Sequence, residues 1–215
     1  MIGRARTNHR AEIEDQFFIL SQMIDEISAH FQEGKHELEQ IAKEDATIQS
    51  DGEKAIYSSV HSSYAYEIER RDAMCAQSRQ ILFCAIYAYY EAMLNRLISY
   101  YDISITNNND LNDAKSMIKA ICTDFLLRSK HKLSITDVEF INDYCRLLRN
   151  HFMHGVLSRK KKREELKQLS DKYGGIIYNE YYATIEDDSF IKNVLKTIYD
   201  MVVNIDDAYS SLECK

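Results

Sequence analysis

The residues of this chain best suited to chemistry lie in one short stretch, Arg149-Asn150-His151-Phe152-Met153-His154-Gly155. It brings an arginine, an amide and two imidazoles to the point where a helical pattern ends at a glycine. A guanidinium can stabilise charge on phosphoryl oxygens, and an imidazole moves protons near neutral pH. Cleavage of a phosphodiester without a metal ion would need these groups. A polar helix end without catalysis is the alternative interpretation.

Two overlapping pairs in this stretch place a histidine five residues after an arginine: Arg149/His154 and Arg146/His151. The first pair is distinguished by Asn150, which directly follows the arginine, and by the glycine that follows His154. A spacing of five turns the two side chains roughly 140° apart around a helix. They can converge because arginine is long and because a helix can loosen toward a terminal glycine.

A single copy of this pair would be a sparse active site. Two copies that meet across a twofold axis would place two arginines and two histidines around one phosphate. The sequence therefore predicts a homodimer.

The composition predicts an all-α protein. The chain has 215 residues, no proline and only six glycines, so it has few residues that favour turns. Apolar residues recur at helical spacing along most of it, with interruptions at Asp51-Gly52 and at Gly174-Gly175. We expect an antiparallel up-and-down helical bundle with a long N-terminal helix or helices and a small extended arm or hairpin near 176–185.

The predicted helices have approximate bounds that can be compared with the structure. Gly34 marks a possible break in the first of them, and Thr136 with Glu139 has the spacing of a capping box. Gly155 suits the position that ends the motif helix. The predicted helices cover residues 8–46, 72–101, 110–128, 136–154, 159–173 and 188–212, the third of them preceded by an asparagine-rich loop at 106–110.

The net charge of −7 means that the surface as a whole does not attract nucleic acid, so binding would need a local basic patch. One run of five cations provides such a patch, five residues after His154. We expect it to contact the RNA backbone, while a solvated helix face is the alternative. The run consists of Arg159, Lys160, Lys161, Lys162 and Arg163.

Other features limit the environment and the cofactors. The five cysteines form no C-x-x-C pair, which favours reduced thiols in a cytoplasmic protein. The N-terminus lacks a signal-like apolar run, and we expect no membrane span. His151 and His154 have no cysteine or carboxylate pair with ligand spacing nearby, so we expect neither a metal site nor a cofactor.

The stretch Arg149-Asn150-His151-Phe152-Met153-His154 resembles the R-N-x-x-x-H signature of the HEPN superfamily. The upstream segment Ala85–Leu97 is also similar to the helix of aromatic residues followed by glutamate that is common in prokaryotic members. Glu91 is unusual as a charge in a mostly apolar helix: it would support the motif helix by pairing with an arginine or histidine, or would lie on an exposed stripe. The domain division that follows is an N-terminal helical extension at 1–60 and a HEPN-like bundle at 61–215.

The resemblance implies metal-independent cleavage of an RNA substrate by attack of a ribose 2′-hydroxyl on the adjacent phosphate. Arg149 would stabilise phosphoryl charge, Asn150 would orient the imidazole or the phosphate, and His154 would transfer the proton. Such proteins are often toxins of toxin–antitoxin pairs or abortive-infection effectors against phage, so an antitoxin protein is a possible partner. One branch carries a modified tyrosine two residues after the histidine, where this chain has Val156. The alternative is an inactive HEPN-like module that binds RNA, nucleotide or a protein partner.

Overall fold

The computed structural model describes residues 2–50, 53–105, 111, 113–155, 160–179 and 182–213. The chain forms two compact units, Met1–Ile81 and Leu82–Lys215. They meet within one continuous helix, so the division lies inside a secondary-structure element. The predicted domain division at residue 60 stays a prediction.

The structure is all-α with one small hairpin, as the composition predicted. The elements are α1 (Ile2–Ser50), α2 (Lys54–Ser63), α3 (Ala65–Tyr100), α4 (Ala114–Ser129), a π-helix (Phe140–Cys145), α5 (Arg146–His154), α6 (Lys160–Tyr173), β1 (Ile176–Tyr178), β2 (Ala183–Ile185) and α7 (Asp188–Glu213).

The first unit contains one long N-terminal helix, and the break expected at Gly34 was wrong. Gly34 lies in the interior of α1, where the missing side chain leaves room for the guanidinium of Arg71 on α3. Glycine serves close packing here, and the neighbouring residues are good enough helix formers to continue through it. Tyr64 also donates a hydrogen bond of 2.8 Å to Asp45, which ties the start of α3 to α1.

The second unit is a bundle in which α5 runs antiparallel to α3, whereas α7 runs in the same direction as α3. Along α3 and α7, Phe83 stacks on Phe190, and Tyr90 donates to Met201 farther along both helices. Phe83 also touches Phe152, near the end of α5. The antiparallel relation expected of neighbouring helices therefore describes α3 and α5, and the long connection before α7 allows it to run parallel to α3.

The motif helix begins differently from the prediction. The expected capping box is absent: Asp137 adopts a left-handed φ of 57°, and the Glu139 carboxylate accepts hydrogen bonds from Lys172 and Tyr173 on α6. The next residues form a six-residue π-helix before α5 starts at Arg146. Gly155 ends α5 as predicted, at a left-handed φ of 61° with its amide bonded to the His151 carbonyl.

The remaining predictions of local structure have mixed outcomes. The arm is an antiparallel hairpin in which Ile176 pairs with Ile185 and Tyr178 with Ala183. Asp113 caps α4 by accepting from the Ser116 amide. The predicted loop at 106–110 lies outside the described residues, as do the turn Asp51-Gly52, Val156 and Arg159.

A closed polar network, the Asp124–Asp206 network, ties one end of the second unit together. Asp124 accepts from Arg128 at 2.7 Å, from Tyr209 at 3.1 Å and from the Ser104 amide at 3.0 Å. Tyr101 shares hydrogen bonds with Asp206 and Ser210, at 2.7 and 2.8 Å. Asp124 and Asp206 are 3% and 6% exposed, and buried carboxylates need partners of this kind.

The segment Ser58–Tyr100 contains an 18-residue window with a mean hydropathy of 1.2, which is long and apolar enough to cross a membrane. Half of that window is buried in the protein, as is common in core helices of soluble proteins. The expected absence of a membrane span stays a prediction.

Candidate active site

Helix α5 presents Arg149 and Asn150 together, beside a carboxylate of α3. The Arg149 Nη1 atom donates to Asn150 Oδ1 at 3.1 Å, and its Nη2 atom lies 3.9 Å from Glu91 Oε2. The side chains of Arg149 and Glu91 are 29% and 25% exposed, so the pair is partly shielded from solvent. The hypothesis that Glu91 pairs with the motif helix is therefore confirmed for Arg149.

The Glu91 carboxylate lies in mixed surroundings. Burial raises its pKa, while the Arg149 guanidinium and the Ala114 amide at the start of α4 pull the pKa down. Asp113 adds a smaller upward contribution. Burial is the largest of these effects, so the ionised form of Glu91 carries a free-energy cost that Arg149 offsets only in part.

His151 is part of the packing between α5 and the hairpin. Its Nε2 atom accepts a hydrogen bond from the Ala183 amide at 3.4 Å, and its ring lies against that of Phe152. Burial lowers the pKa of His151, which favours the neutral imidazole. Because Nε2 accepts, the ring proton belongs on Nδ1, a buried atom with no hydrogen-bond partner among the described residues.

His154 is placed differently. It is the last residue of α5, it is exposed, and its imidazole makes no hydrogen bond or ion pair with the residues that the structure describes. No such contact joins it to Arg149 within the single chain. The structure thus brings Arg149, Asn150 and Glu91 together and leaves His154 at the solvent-facing end of the same helix.

Arg146, the arginine of the other possible pair, is engaged with its own helix. Its Nε atom donates to the Asn142 carbonyl at 2.9 Å. The side chain also lies near Tyr87. Burial raises the pKa of Tyr87, and the Arg146 charge opposes this rise to a smaller extent. The Tyr87 hydroxyl is fully buried and has no hydrogen-bond partner among the described residues.

The π-helix adds a buried amide that the sequence-based prediction missed. Asn142 is fully buried, and its Oδ1 atom accepts from the Tyr90 hydroxyl at 3.2 Å. A π-turn inserts an extra residue into the helical repeat and rotates everything after it. The polar residues Arg146, Arg149 and Asn150 therefore follow a phase different from that of the apolar stripe before them. The available signal was Asn142, which with Asp143 lies between the apolar pairs Phe140-Ile141 and Tyr144-Cys145.

The predicted RNA-binding run forms the first turn of α6, except that Arg159 lies outside the described residues. Lys160 is 82% exposed and lies 3.9 Å from Glu164, whereas Lys162 forms a 2.6 Å pair with Glu165. Lys161 is exposed and Arg163 partly exposed. The run is therefore distributed around the helix, and part of its charge is neutralised locally.

Within the part of the chain that the structure describes, no three His, Cys, Asp or Glu side chains converge as metal ligands would. Comparison with family models, with curated proteins and with solved structures gave no significant match for this chain. Membership of the HEPN superfamily stays a prediction from the motif residues.

Proposed function

We propose that this chain is a metal-independent endoribonuclease of the HEPN type that acts as a homodimer. The observation that carries the proposal is the division of roles along α5. Arg149 donates to Asn150 and lies 3.9 Å from Glu91, His151 is occupied by the hairpin, and His154 is left exposed at the end of the same helix. This arrangement supports Arg149/His154 over Arg146/His151 as the reacting pair.

The proposed reaction uses an internal nucleophile. The ribose 2′-oxygen attacks the adjacent phosphorus, the bond from phosphorus to the 5′-oxygen breaks, and the products carry a 2′,3′-cyclic phosphate and a 5′-hydroxyl. One His154 imidazole takes the proton of the 2′-hydroxyl, and the His154 of a second copy protonates the leaving 5′-oxygen. Arg149 stabilises the additional negative charge on the phosphoryl oxygens.

The proposed setting is cytoplasmic, with RNA as the substrate and a toxin–antitoxin or anti-phage role. The test is to incubate the purified full-length protein with tRNA and mRNA in the presence of EDTA and to map the ends produced. Cleavage that persists in chelator and leaves cyclic phosphates supports the proposal. Cleavage that stops in chelator and returns with a divalent cation contradicts the metal-free mechanism.

One observation favours a second candidate, an inactive module that binds RNA, nucleotide or a protein partner through the same region. In the single chain Arg149 pairs with a carboxylate, and no contact among the described residues links it to His154. A protein that binds RNA without cutting it, with an affinity that His154→Ala leaves unchanged, would have this second function.

A further inference from the structure

A groove lies between α6 and the hairpin, beside the predicted basic run. It has a volume of about 380 Å³, and one face of α6 lines it together with the end of β1. Cavities of this size are within the range that holds small ligands. The lining residues are Lys160, Arg163, Glu164, Lys167, Tyr178 and Asn179.

The charge of the groove is positive on a protein whose net charge is −7. Among the lining residues that the structure describes, Lys160, Arg163 and Lys167 are cations and Glu164 is a carboxylate. Lys160 lies 3.9 Å from Glu164. Lys167 is exposed and makes no ion pair with any residue that the structure describes. The groove is thus suited to an anion.

Helical spacing separates the groove cations from the rest of the run. Residues 160, 163 and 167 fall on one face of a helix, whereas 161 and 162 are turned roughly 100° and 200° away from 160. Lys162 is held by Glu165 on that other side. Only part of the predicted run therefore faces the groove. Lys167 also lines the groove, although it lies outside the run.

The other lining groups fit a nucleotide better than a simple anion. Tyr178 offers an aromatic ring while its hydroxyl is bonded to the Arg163 carbonyl, which fixes the ring against α6. Asn179 lines the groove as well, and its Oδ1 atom accepts a hydrogen bond of 3.1 Å from the Tyr182 amide, which holds the hairpin turn. Cations for phosphates beside an aromatic ring for a base are the combination that single-strand binders use. An acidic peptide would use the cations but not the ring.

The groove is also attached to the motif helix. Tyr178 lies opposite Ala183 in the hairpin, and the Ala183 amide bonds to His151 on α5. We propose that this groove is a subsite for single-stranded RNA, in which Arg163 and Lys167 contact phosphates and Tyr178 stacks on a base. The role as a substrate subsite rests on the proposed ribonuclease function.

The test measures binding separately from cleavage. Full-length protein is titrated against a fluorescent single-stranded RNA of about twelve nucleotides with every 2′-hydroxyl methylated, which blocks the proposed reaction. Arg163→Gln with Lys167→Gln is compared with Lys161→Gln with Lys162→Gln, since both pairs remove two charges from the same helix. The groove pair should weaken binding at least tenfold and reduce the slope of log affinity against log salt by about 1.4, at about 0.7 per phosphate contact. The control pair should weaken binding less than fivefold and reduce the slope by less than about 0.7.

Equal losses from the two pairs, or no loss from the groove pair, would overturn the proposal. Tyr178→Ala should weaken binding while Tyr178→Phe retains it, and equal behaviour of these two variants would remove the stacking role. Displacement of the RNA by polyglutamate of equal charge would assign the groove to an acidic protein. Displacement by adenosine monophosphate at the same concentration would assign it to a free nucleotide.

These outcomes remain distinguishable from failure of the nuclease proposal. If the wild type binds the methylated strand through the groove but cuts no unmodified RNA, the RNA subsite is supported and the nuclease function is rejected. If the wild type cuts RNA and the variant with Arg163→Gln and Lys167→Gln has unchanged affinity and KM, the nuclease function is supported and the RNA subsite is rejected.

Discussion

The second unit contains two polar regions that differ in how far their buried polar groups are hydrogen-bonded. In the Asp124–Asp206 network the buried polar groups satisfy one another, with Asp124 alone accepting three hydrogen bonds. Around α5 the Tyr87 hydroxyl and His151 Nδ1 lack partners among the described residues, and Arg149 has a loose 3.9 Å ion pair. Satisfied buried networks stabilise a fold, while incompletely satisfied groups are a free-energy cost that functional sites often carry. The first region therefore contributes to stability, and the second is the region to which the proposed reaction belongs.

The largest expected effect is on catalysis. His154→Ala should reduce RNA cleavage by about 10²- to 10⁴-fold, because the group that transfers the proton is lost. His151→Ala should be much milder in a single-turnover cleavage assay, since this imidazole is tied to the hairpin. Equal losses from both variants would mean that the pair Arg146/His151 carries the reaction.

The next effect is on stability alone. Asp124→Ala removes the acceptor for Arg128, for Tyr209 and for the Ser104 amide, and should lower the free energy of unfolding by about 3 kcal/mol. Urea denaturation measures this loss, and Asp124→Asn serves as the control because it keeps one acceptor. Cleavage per folded molecule should stay at the wild-type rate. A loss of cleavage without a loss of stability would show that the Asp124–Asp206 network affects the reaction as well.

Glu91→Gln should lower the cleavage rate without lowering stability, the reverse of the effect of Asp124→Ala. Loss of the charge loosens Arg149, and cleavage should fall about tenfold. Burial raises the pKa of Glu91, so the folded state holds this proton more tightly and loses stability as the pH rises through about 4.5 and above. At neutral pH the variant should therefore melt at the same temperature as the wild type or higher, with the difference vanishing below about pH 4.5. A lower melting temperature with unchanged cleavage would make Glu91 a purely structural residue.

The smallest effect concerns His151 and pH. Burial lowers its pKa in the folded state, so the unfolded chain binds the proton more readily once the pH falls below about 6.5. Protonation also removes the Nε2 acceptor of the Ala183 amide. As the pH falls from about 7.5 to about 5, the protection factor of that amide should decrease in the wild type, whereas in His151→Gln it should stay nearly constant. Parallel pH profiles for the two proteins would contradict this role.

Much of the fold could be predicted because it depends on local and periodic signals. The lack of proline, the apolar spacing of α3 and α7, and the glycine that ends α5 are all visible in the sequence. Gly34 misled the prediction because its reason is tertiary: it makes room for Arg71. The capping box failed for a similar reason, since Glu139 finds its partners on α6, more than thirty residues away.

The site was only partly predictable. Residue types and spacing indicated Arg149, Asn150 and His154, and the charge of Glu91 in an apolar helix indicated a pairing partner. The π-helix and the hydrogen bond between His151 and Ala183 depend on long-range packing, which periodicity does not record. The same holds for the groove, because Tyr178 and Lys167 are brought together only by the fold.

The central claim is that Arg149 and His154 act on one phosphate, although the single chain does not join them. A double-mutant cycle on the cleavage rate tests it, with Arg149→Ala, His154→Ala and the double variant assayed on the same RNA in chelator. If the two residues act as a unit, the double variant should be no slower than the slower single variant. Losses that multiply, or single variants that cleave at the wild-type rate, would contradict the claim.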